Sequence, residues 1–253
     1  MILIKNKASI IKMEVAGKLL SSLFDDIDGI LKSGITTADI DNWVDLELKK
    51  RGLVSKTKGY MGYQHSSCIS VNDEVVHGVP SKKKSLKRGD LVKIDVCASW
   101  KGYCADMARC FFVEVDDSQQ KAFKMVDVAT RALFAGVGMA VVGNRLSDIS
   151  AAIQRVVEEE GYGIVRDFAG HGIGKSMHEE PEILNYGEPG KGPILRAGMT
   201  FAIEPMITEG GYQVYVENDG WTVKTEDKSW AAHVEDTILI TDNGPVFLTR
   251  QQN

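Results

Sequence analysis

Shifted by 109 positions, the chain lies partly on itself. Gly34, Asp39, Ile40 and Gly52 fall on Gly143, Asp148, Ile149 and Gly161, and Leu86, Gly89, Ile94 and Asp95 fall on Leu195, Gly198, Ile203 and Glu204. A constant offset across a helical stretch and a later strand marks a duplicated α+β unit. It confines the chain to two similar halves, about 8–115 and 118–249, packed around a pseudo-symmetry axis inside one domain of residues 1–253.

Periodicity predicts the same elements in each half. Ile10, Ile11, Val15, Leu19, Leu20, Leu23, Ile27 and Leu31 recur at helical spacing from about Lys7 to Lys32. Thr36 or Thr37 caps a second helix through Ile40, Trp43, Val44 and Leu48, which Gly52 ends. Strands are expected over Cys68–Val71, Glu74–Gly78, Asp90–Cys97 and Ala108–Val115. The second half predicts helices over Ser118–Met139 and Ser147–Glu160. Its expected strands lie near Gly163, Met199–Ile207, Gln213–Val216, His233–Thr241 and Val246–Leu248. Helices grouped before strands argue for α+β architecture, with helices on one face of an antiparallel sheet.

Composition excludes several classes. A net charge of −5 speaks against nucleic-acid binding. Lys5, Lys7 and Lys12 interrupt any signal-peptide core, and Phe134–Gly143 is too short to span a bilayer, so a cytoplasmic location without membrane contact is expected. Cys68, Cys97, Cys104 and Cys110 show no C-x-x-C pairing and read as small apolar residues of the core.

Asp95 closes the apolar strand Leu91–Ile94, and Asp106 lies beyond the turn Trp100–Tyr103, so one hairpin can present both carboxylates on one face. Glu204 closes the matching strand Thr200–Ile203, and Pro205 marks its end or a bulge. Glu235 borders the apolar run Thr237–Ile240, where an acid is costly to bury unless paired or metal-bound. Singly, each acid reads as a turn residue or ion-pair partner; two strand-end acids at equivalent places in a repeat do not. His171 sits in Gly170-His-Gly-Ile-Gly-Lys-Ser, where the flanking glycines allow close backbone approach. Neither nucleotide motif fits that loop: Ala169 stands where a P-loop needs glycine, and the spacing of Gly170, Gly172 and Gly174 is not G-x-G-x-x-G. Four carboxylates and an imidazole make a hard, oxygen-rich donor set, better suited to a pair of catalytic divalent ions than to structural zinc. Metal-assisted hydrolysis is the chemistry that follows.

At these residues the chain resembles the type I methionine aminopeptidases. His77-Gly-Val-Pro, Lys93-Ile-Asp-Val, Cys104-Ala-Asp, Gly170-His-Gly-Ile-Gly, His178-Glu-Glu-Pro, Phe201-Ala-Ile-Glu-Pro and His233-Val-Glu-Asp-Thr stand in the family's order, and the likeness runs from about residue 8 to 249. The resemblance implies the pita-bread (creatinase/aminopeptidase-like) fold and removal of the initiator methionine from nascent chains whose second residue is small. It implies that Asp95 and Asp106 hold one ion, His171 and Glu204 the other, and that Asp106 and Glu235 bridge. Cobalt, manganese, iron and zinc all suit such ligands. It further implies proton exchange at Glu204, substrate contacts from His77 and His178, and a methionine pocket of Tyr60, Tyr63, Cys68 and Trp221.

Met177 stands where the family often has an aromatic, and its thioether can line the same apolar pocket. Gln64-His65-Ser66 replaces a more usual proline-containing turn. The chain lacks the type II insertion and an amino-terminal zinc-binding extension, so a minimal bacterial-type enzyme, monomeric, is expected. Two rivals share the fold: a proline-specific aminopeptidase, usually with an extra domain, and a binding module that has lost its metal ligands. Lys82, Lys83, Lys84, Lys87 and Arg88 form a basic cluster that reads first as a solvated turn and second as a weak contact with ribosomal RNA.

Overall fold

The computed structural model describes residues 1–115 and 119–250. Its first half opens with α1 (Lys7–Asp25) and α2 (Thr37–Lys50). Asn6 caps α1 by accepting from the Ser9 N–H at 2.9 Å. The helix stops short of the expected Lys32, because the chain tightens into a 3₁₀ turn at Ile27–Gly29 that still buries Ile27. Four strands follow: β1 (Val54–Ser55), β2 (Cys68–Val71), β3 (Leu91–Trp100) and β4 (Tyr103–Phe112). The second half holds α3 (Gln120–Met139) and α4 (Leu146–Glu159), then β5 (Gly163–Ile164), β6 (Gly170–Gly172), β7 (Glu179–Ile183) and β8 (Thr200–Ile203). It continues with β9 (Met206–Thr208), β10 (Val214–Val216), β11 (Val223–Thr225), β12 (Ala231–His233), β13 (Glu235–Thr241) and β14 (Gly244–Phe247). Ser118, the expected start of α3 and of the second half, lies outside the described residues.

The 109-residue offset is written in the hydrogen bonds. Gly34 N–H donates to the Leu86 carbonyl at 2.8 Å, and Gly143 N–H to the Leu195 carbonyl at 3.1 Å. Isolated bridges join Thr36 to Ser85 and Arg145 to Ile194. Asp39 and Asp148 take the same N3 place in the second helices and accept from the N-cap N–H groups of Thr36 at 3.1 Å and Arg145 at 2.7 Å. Thr36 alone completes a capping box, since an arginine side chain cannot accept. Both helices end at glycines in the left-handed region, Gly52 (φ 69°) and Gly161 (φ 78°), where a side chain would be strained.

One nine-stranded antiparallel sheet runs through both halves in the order β1-β3-β4-β13-β8-β6-β7, with β2 on β3 and β14 on β13. Its residues alternate between faces. Val92, Ile94, Val96 and Ala98 of β3 pack with Leu20, Leu23, Ile40 and Val44 of α1 and α2. Phe201, Ile203, Ile238 and Ile240 pack with Val128, Leu133, Ile149 and Ile153 of α3 and α4. Gly136 lets those helices close, since a Cβ there would stand 2.7 Å from the Ile153 side chain. Burial of the helix face thus sends Asp95, Asp106, Glu204 and Glu235 to the opposite face.

Three expectations need correction. Glu74–Gly78 is no strand, because His77 turns the chain at φ 56° after a single bridge from Glu74 to Lys224. Met199–Ile207 divides into β8 and β9 at Glu204-Pro205, where proline has no N–H to give the ladder. The expected strand His233–Thr241 divides at Val234 into the end of β12 and all of β13, while β6, β7 and β11 are too short and too glycine-rich or polar to register as strand periodicity.

Candidate metal centre and substrate pocket

The register of the sheet assembles the carboxylates. Asp95 pairs with Ala108, and Ala108 pairs on its other side with Glu235, so these three lie in a row across β3, β4 and β13. Asp106 pairs with Cys97 and shares their face. His171 on β6 pairs with Ala202 of β8, two residues before Glu204. Gly170 is needed for this approach: a Cβ there would meet the Ala202 carbonyl oxygen at 2.5 Å.

His171 is oriented by its own backbone. Nδ1 lies 2.9 Å from the Gly172 carbonyl, which can only accept, so Nδ1 carries the proton. The Nε2 lone pair then faces Asp106 Oδ2 at 3.9 Å and Glu204 Oε1 at 3.6 Å, as a metal ligand requires. Burial, helped by His178, holds the His171 pKa down at about 3, and burial with His233 and His178 holds His77 at about 4. The acids move the other way. Burial and the charge of Glu204 push Asp106 up to about 7, burial pushes Glu204 to about 8, and burial with Asp106 drives Asp95 and Glu235 well above the carboxylate range.

The donor set fits divalent cations. Among the described residues no lysine or arginine side chain pairs with these four acids. Buried Glu235 Oε1 and His233 Nε2 have no hydrogen-bond partner, and such atoms are costly unless something fills the space they face. Ligand atoms of Asp106, His171 and Glu235 lie within 4.8 Å of one another, as do those of Glu204, His233 and Glu235. Glu235 belongs to both sets, which suits a bridging carboxylate. A bound cation reverses the local cost, stabilising the carboxylates in their charged form.

All twelve residues singled out from sequence line one pocket of about 90 Å³: Asp95, Asp106, His171, Glu204 and Glu235 on its floor, with His77, His178, Tyr60, Tyr63, Cys68, Met177 and Trp221 around it. The Tyr63 and Trp221 rings meet edge-on at 5.0 Å. The Tyr63 hydroxyl donates to the Ser67 and Gly78 carbonyls at 3.1 and 3.3 Å, which fixes that wall. An outer cleft of about 570 Å³ adjoins the pocket and shares His77, His171, His178 and Glu204 with it.

Sequence reasoning missed three neighbours. Thr57 and Cys97 also line the pocket, and His233 Nε2 comes within 3.4 Å of Glu204 Oε2. Only the place of His233, two residues before Glu235, hinted at it. Asp236 was overlooked as well. Wholly buried, it accepts from Arg109 at 2.6 Å, Thr249 at 2.7 Å and Arg250 at 2.7 Å, while Arg109 also donates to the Glu235 carbonyl at 2.5 Å. That network anchors the backbone of Glu235 from the helix side of the sheet.

Residues 11–242 match the model of metallopeptidase family M24. The chain belongs to that family. A methionine aminopeptidase from Clostridium acetobutylicum is 47% identical over 249 residues, 98% of this chain and 99% of the relative. The crystal structure of a methionine aminopeptidase from Thermotoga maritima superposes with a TM-score of 0.95 at 43% identity, covering 99% of this chain and 100% of that one. A prolidase from Pyrococcus furiosus superposes at 0.77 with 26% identity, covering 99% of this chain but 66% of that one. This M24 member therefore has the pita-bread fold, and its cluster of acids and histidine is that of a metal-dependent peptidase.

Proposed function

We propose that this M24 enzyme removes the amino-terminal methionine from peptides and nascent proteins whose second residue is small. The observation that carries this reading is the meeting of a small closed pocket with an open cleft at four shared residues, His77, His171, His178 and Glu204. A first side chain enters the pocket, the rest of the peptide leaves through the cleft, and the scissile bond falls at the seam. Tyr60, Tyr63, Cys68, Met177 and Trp221 suit an unbranched thioether.

Asp95 and Asp106 would hold one divalent ion and His171 and Glu204 the other, with Asp106 and Glu235 shared. When bound, the ions supply Lewis acidity to the scissile carbonyl and to the attacking water. Glu204 takes the proton of that water and later returns it to the leaving amine. His77 and His178 bear on the carbonyl oxygen and the peptide. The tight pocket and a free α-amino group confine cleavage to the first residue. The same reading treats residues 1–253 as one catalytic unit, working as a monomer in the cytoplasm. No described helix is long and apolar enough to cross a membrane. The basic turn before β3 is mostly exposed, with Lys84 paired to Glu74 at 2.6 Å, so any contact of the Lys82–Arg88 cluster with ribosomal RNA would rest on its other basic side chains.

The test is hydrolysis of Met-Ala-Ser, acetyl-Met-Ala-Ser, Met-Lys-Ser and an Xaa-Pro peptide by enzyme titrated separately with cobalt, manganese, iron and zinc. Methionine is expected from the first peptide, slowly from the third, and from neither of the others. Efficient cleavage of the acetylated peptide removes the amine-anchoring argument, and preference for Xaa-Pro reassigns the enzyme to its proline-specific relatives. Equal rates on Met-Ala-Ser and Met-Lys-Ser would leave the chemistry in place but withdraw initiator-methionine removal.

A further inference from the structure

The lip of the pocket is a short turn from the first half that reaches a histidine of the second. Gly59 (φ 91°), Met61 (φ 45°) and Gly62 (φ 92°) all occupy the left-handed region. Met61 pays for that conformation without burial, being 81% exposed. Such a backbone persists where its surroundings over-determine it. Here Gly59 N–H donates to the Tyr63 carbonyl at 2.7 Å, Tyr60 N–H to Thr57 at 3.1 Å and Tyr63 N–H to Tyr60 at 2.8 Å. The product of the turn is one contact: the Tyr60 hydroxyl lies 2.9 Å from His178 Nδ1, with the two rings edge-on at 5.2 Å.

We propose that Tyr60 is a positioning residue whose hydroxyl donates to His178 Nδ1, leaving the His178 proton on Nε2 for donation to the carbonyl oxygen of the peptide. The proposal rests on the reading of His178 as a substrate-contacting residue. Two arrangements of protons are open to a neutral His178. In one, Nδ1 carries the proton and Tyr60 accepts; the tyrosine proton then has no acceptor among the described residues, and Nε2 turns a lone pair toward the lone pairs of a substrate carbonyl. In the other, Tyr60 donates, Nδ1 accepts, and Nε2 meets the carbonyl as an N–H donor. Within the protein only the second pairs both groups and also turns an N–H, rather than a lone pair, toward the substrate carbonyl; the first leaves the tyrosine proton to solvent. The contact also holds a ring that is otherwise solvent-exposed against His171, whose centroid is 4.4 Å away. A fixed donor aimed at a developing oxyanion acts on the transition state more than on substrate binding.

Tyr60→Phe removes one oxygen from a partly exposed ring and leaves the turn intact, which circular dichroism can verify. With metal-loaded enzyme and Met-Ala-Ser, kcat is expected to fall about 5- to 10-fold, the worth of one hydrogen bond, with KM changed less than 2-fold. A loss confined to KM would make Tyr60 a pocket wall only and overturn the proposal. The second readout is long-range 15N–1H correlation of the histidine rings in metal-free protein at one fixed pH, with His178 assigned from His178→Gln. The parent should show Nε2–H with Nδ1 as acceptor, and Tyr60→Phe should show a mixture of tautomers. An Nδ1–H signal in the parent, or an unchanged tautomer in the variant, overturns the proposal. Because this measurement needs no turnover, it stands apart from the test of methionine removal: an inactive enzyme with the expected tautomers would refute the function and keep the clasp.

Discussion

The two halves share a frame and differ where the chemistry sits. In the first, β3 continues past Asp95 to Trp100, and β4 returns at once from Tyr103, so Asp95 and Asp106 ride on one hairpin. In the second, β8 stops at Ile203, and residues 204–234 intervene before β13 takes the place that β4 has in the first half. The hydrogen bonds record the change. Gly89 donates to Val113 and Gly198 to Ile240, so an offset of 109 at the glycines has become 127 at their partners. The inserted excursion carries β9 to β12, the pocket wall Trp221, and His233 beside Glu204. The shared frame thus sets the glycine turns and the equivalent acids Asp95 and Glu204, and the departure from it adds Trp221 to a pocket otherwise walled by Tyr60, Tyr63, Cys68 and Met177.

Four experiments bear on that comparison. The largest effect is expected at the equivalent acids Asp95 and Glu204. Glu204→Gln should lower kcat by about 10²–10⁴ without altering the thermal melt, since an amide cannot take a proton from water. Asp95→Asn should mainly raise the metal concentration needed for activity and recover when metal is added. Equal, unrecoverable losses at both would erase the functional distinction between the halves.

Next comes the excursion itself. Trp221→Leu should raise KM for Met-Ala-Ser about 10-fold and narrow the preference for methionine over leucine in first place. Undiminished selectivity would show that the excursion does not shape the pocket and that Tyr60, Tyr63, Cys68 and Met177 suffice.

A pH effect belongs to the first half, where Lys49 and then Ser66 hold the Asp45 carboxyl at about 2, below its usual 3.8. A depressed carboxylate stabilises the fold above pH 3.8, and that contribution fades as pH falls toward 2. Asp45→Asn should therefore cost about 1 kcal/mol at neutral pH, discounted for the exposed Lys49 partner, and nothing near pH 2. Denaturant unfolding at both pH values checks this, and a pH-independent cost would assign it to packing.

The smallest effect should be equal in the two halves. No atom lies within 4 Å of a Cβ built on Gly52 or Gly161, so alanine at either should cost only backbone strain, about 1 kcal/mol. A difference between them above about 0.5 kcal/mol would mean the two helix ends are not energetically equivalent.

By itself the sequence determined what is local or periodic. The repeat, the threonine cap of α2, the glycine helix ends and the apolar runs of β3, β8 and β13 could be read from residue type and spacing. Asp95, Glu204 and Glu235 stood out in the sequence as acids bordering apolar runs, and Asp106 and His171 as polar residues beside a tight turn and between glycines; all five line one pocket. Their grouping with His77, His178 and the pocket residues came from family resemblance rather than spacing. Tertiary structure alone decided the rest. The break at Pro205, the unpartnered His233, the Cys97 contribution to the pocket, the Arg109–Asp236–Arg250 anchor and the Tyr60–His178 contact all join residues far apart in the chain. Strand register fixes the places of Cys97, Arg109, His233 and Asp236, and a shift of one residue would turn those side chains to the other face; Tyr60, His178, Pro205 and Arg250 lie outside the strands and are set by the turns that carry them.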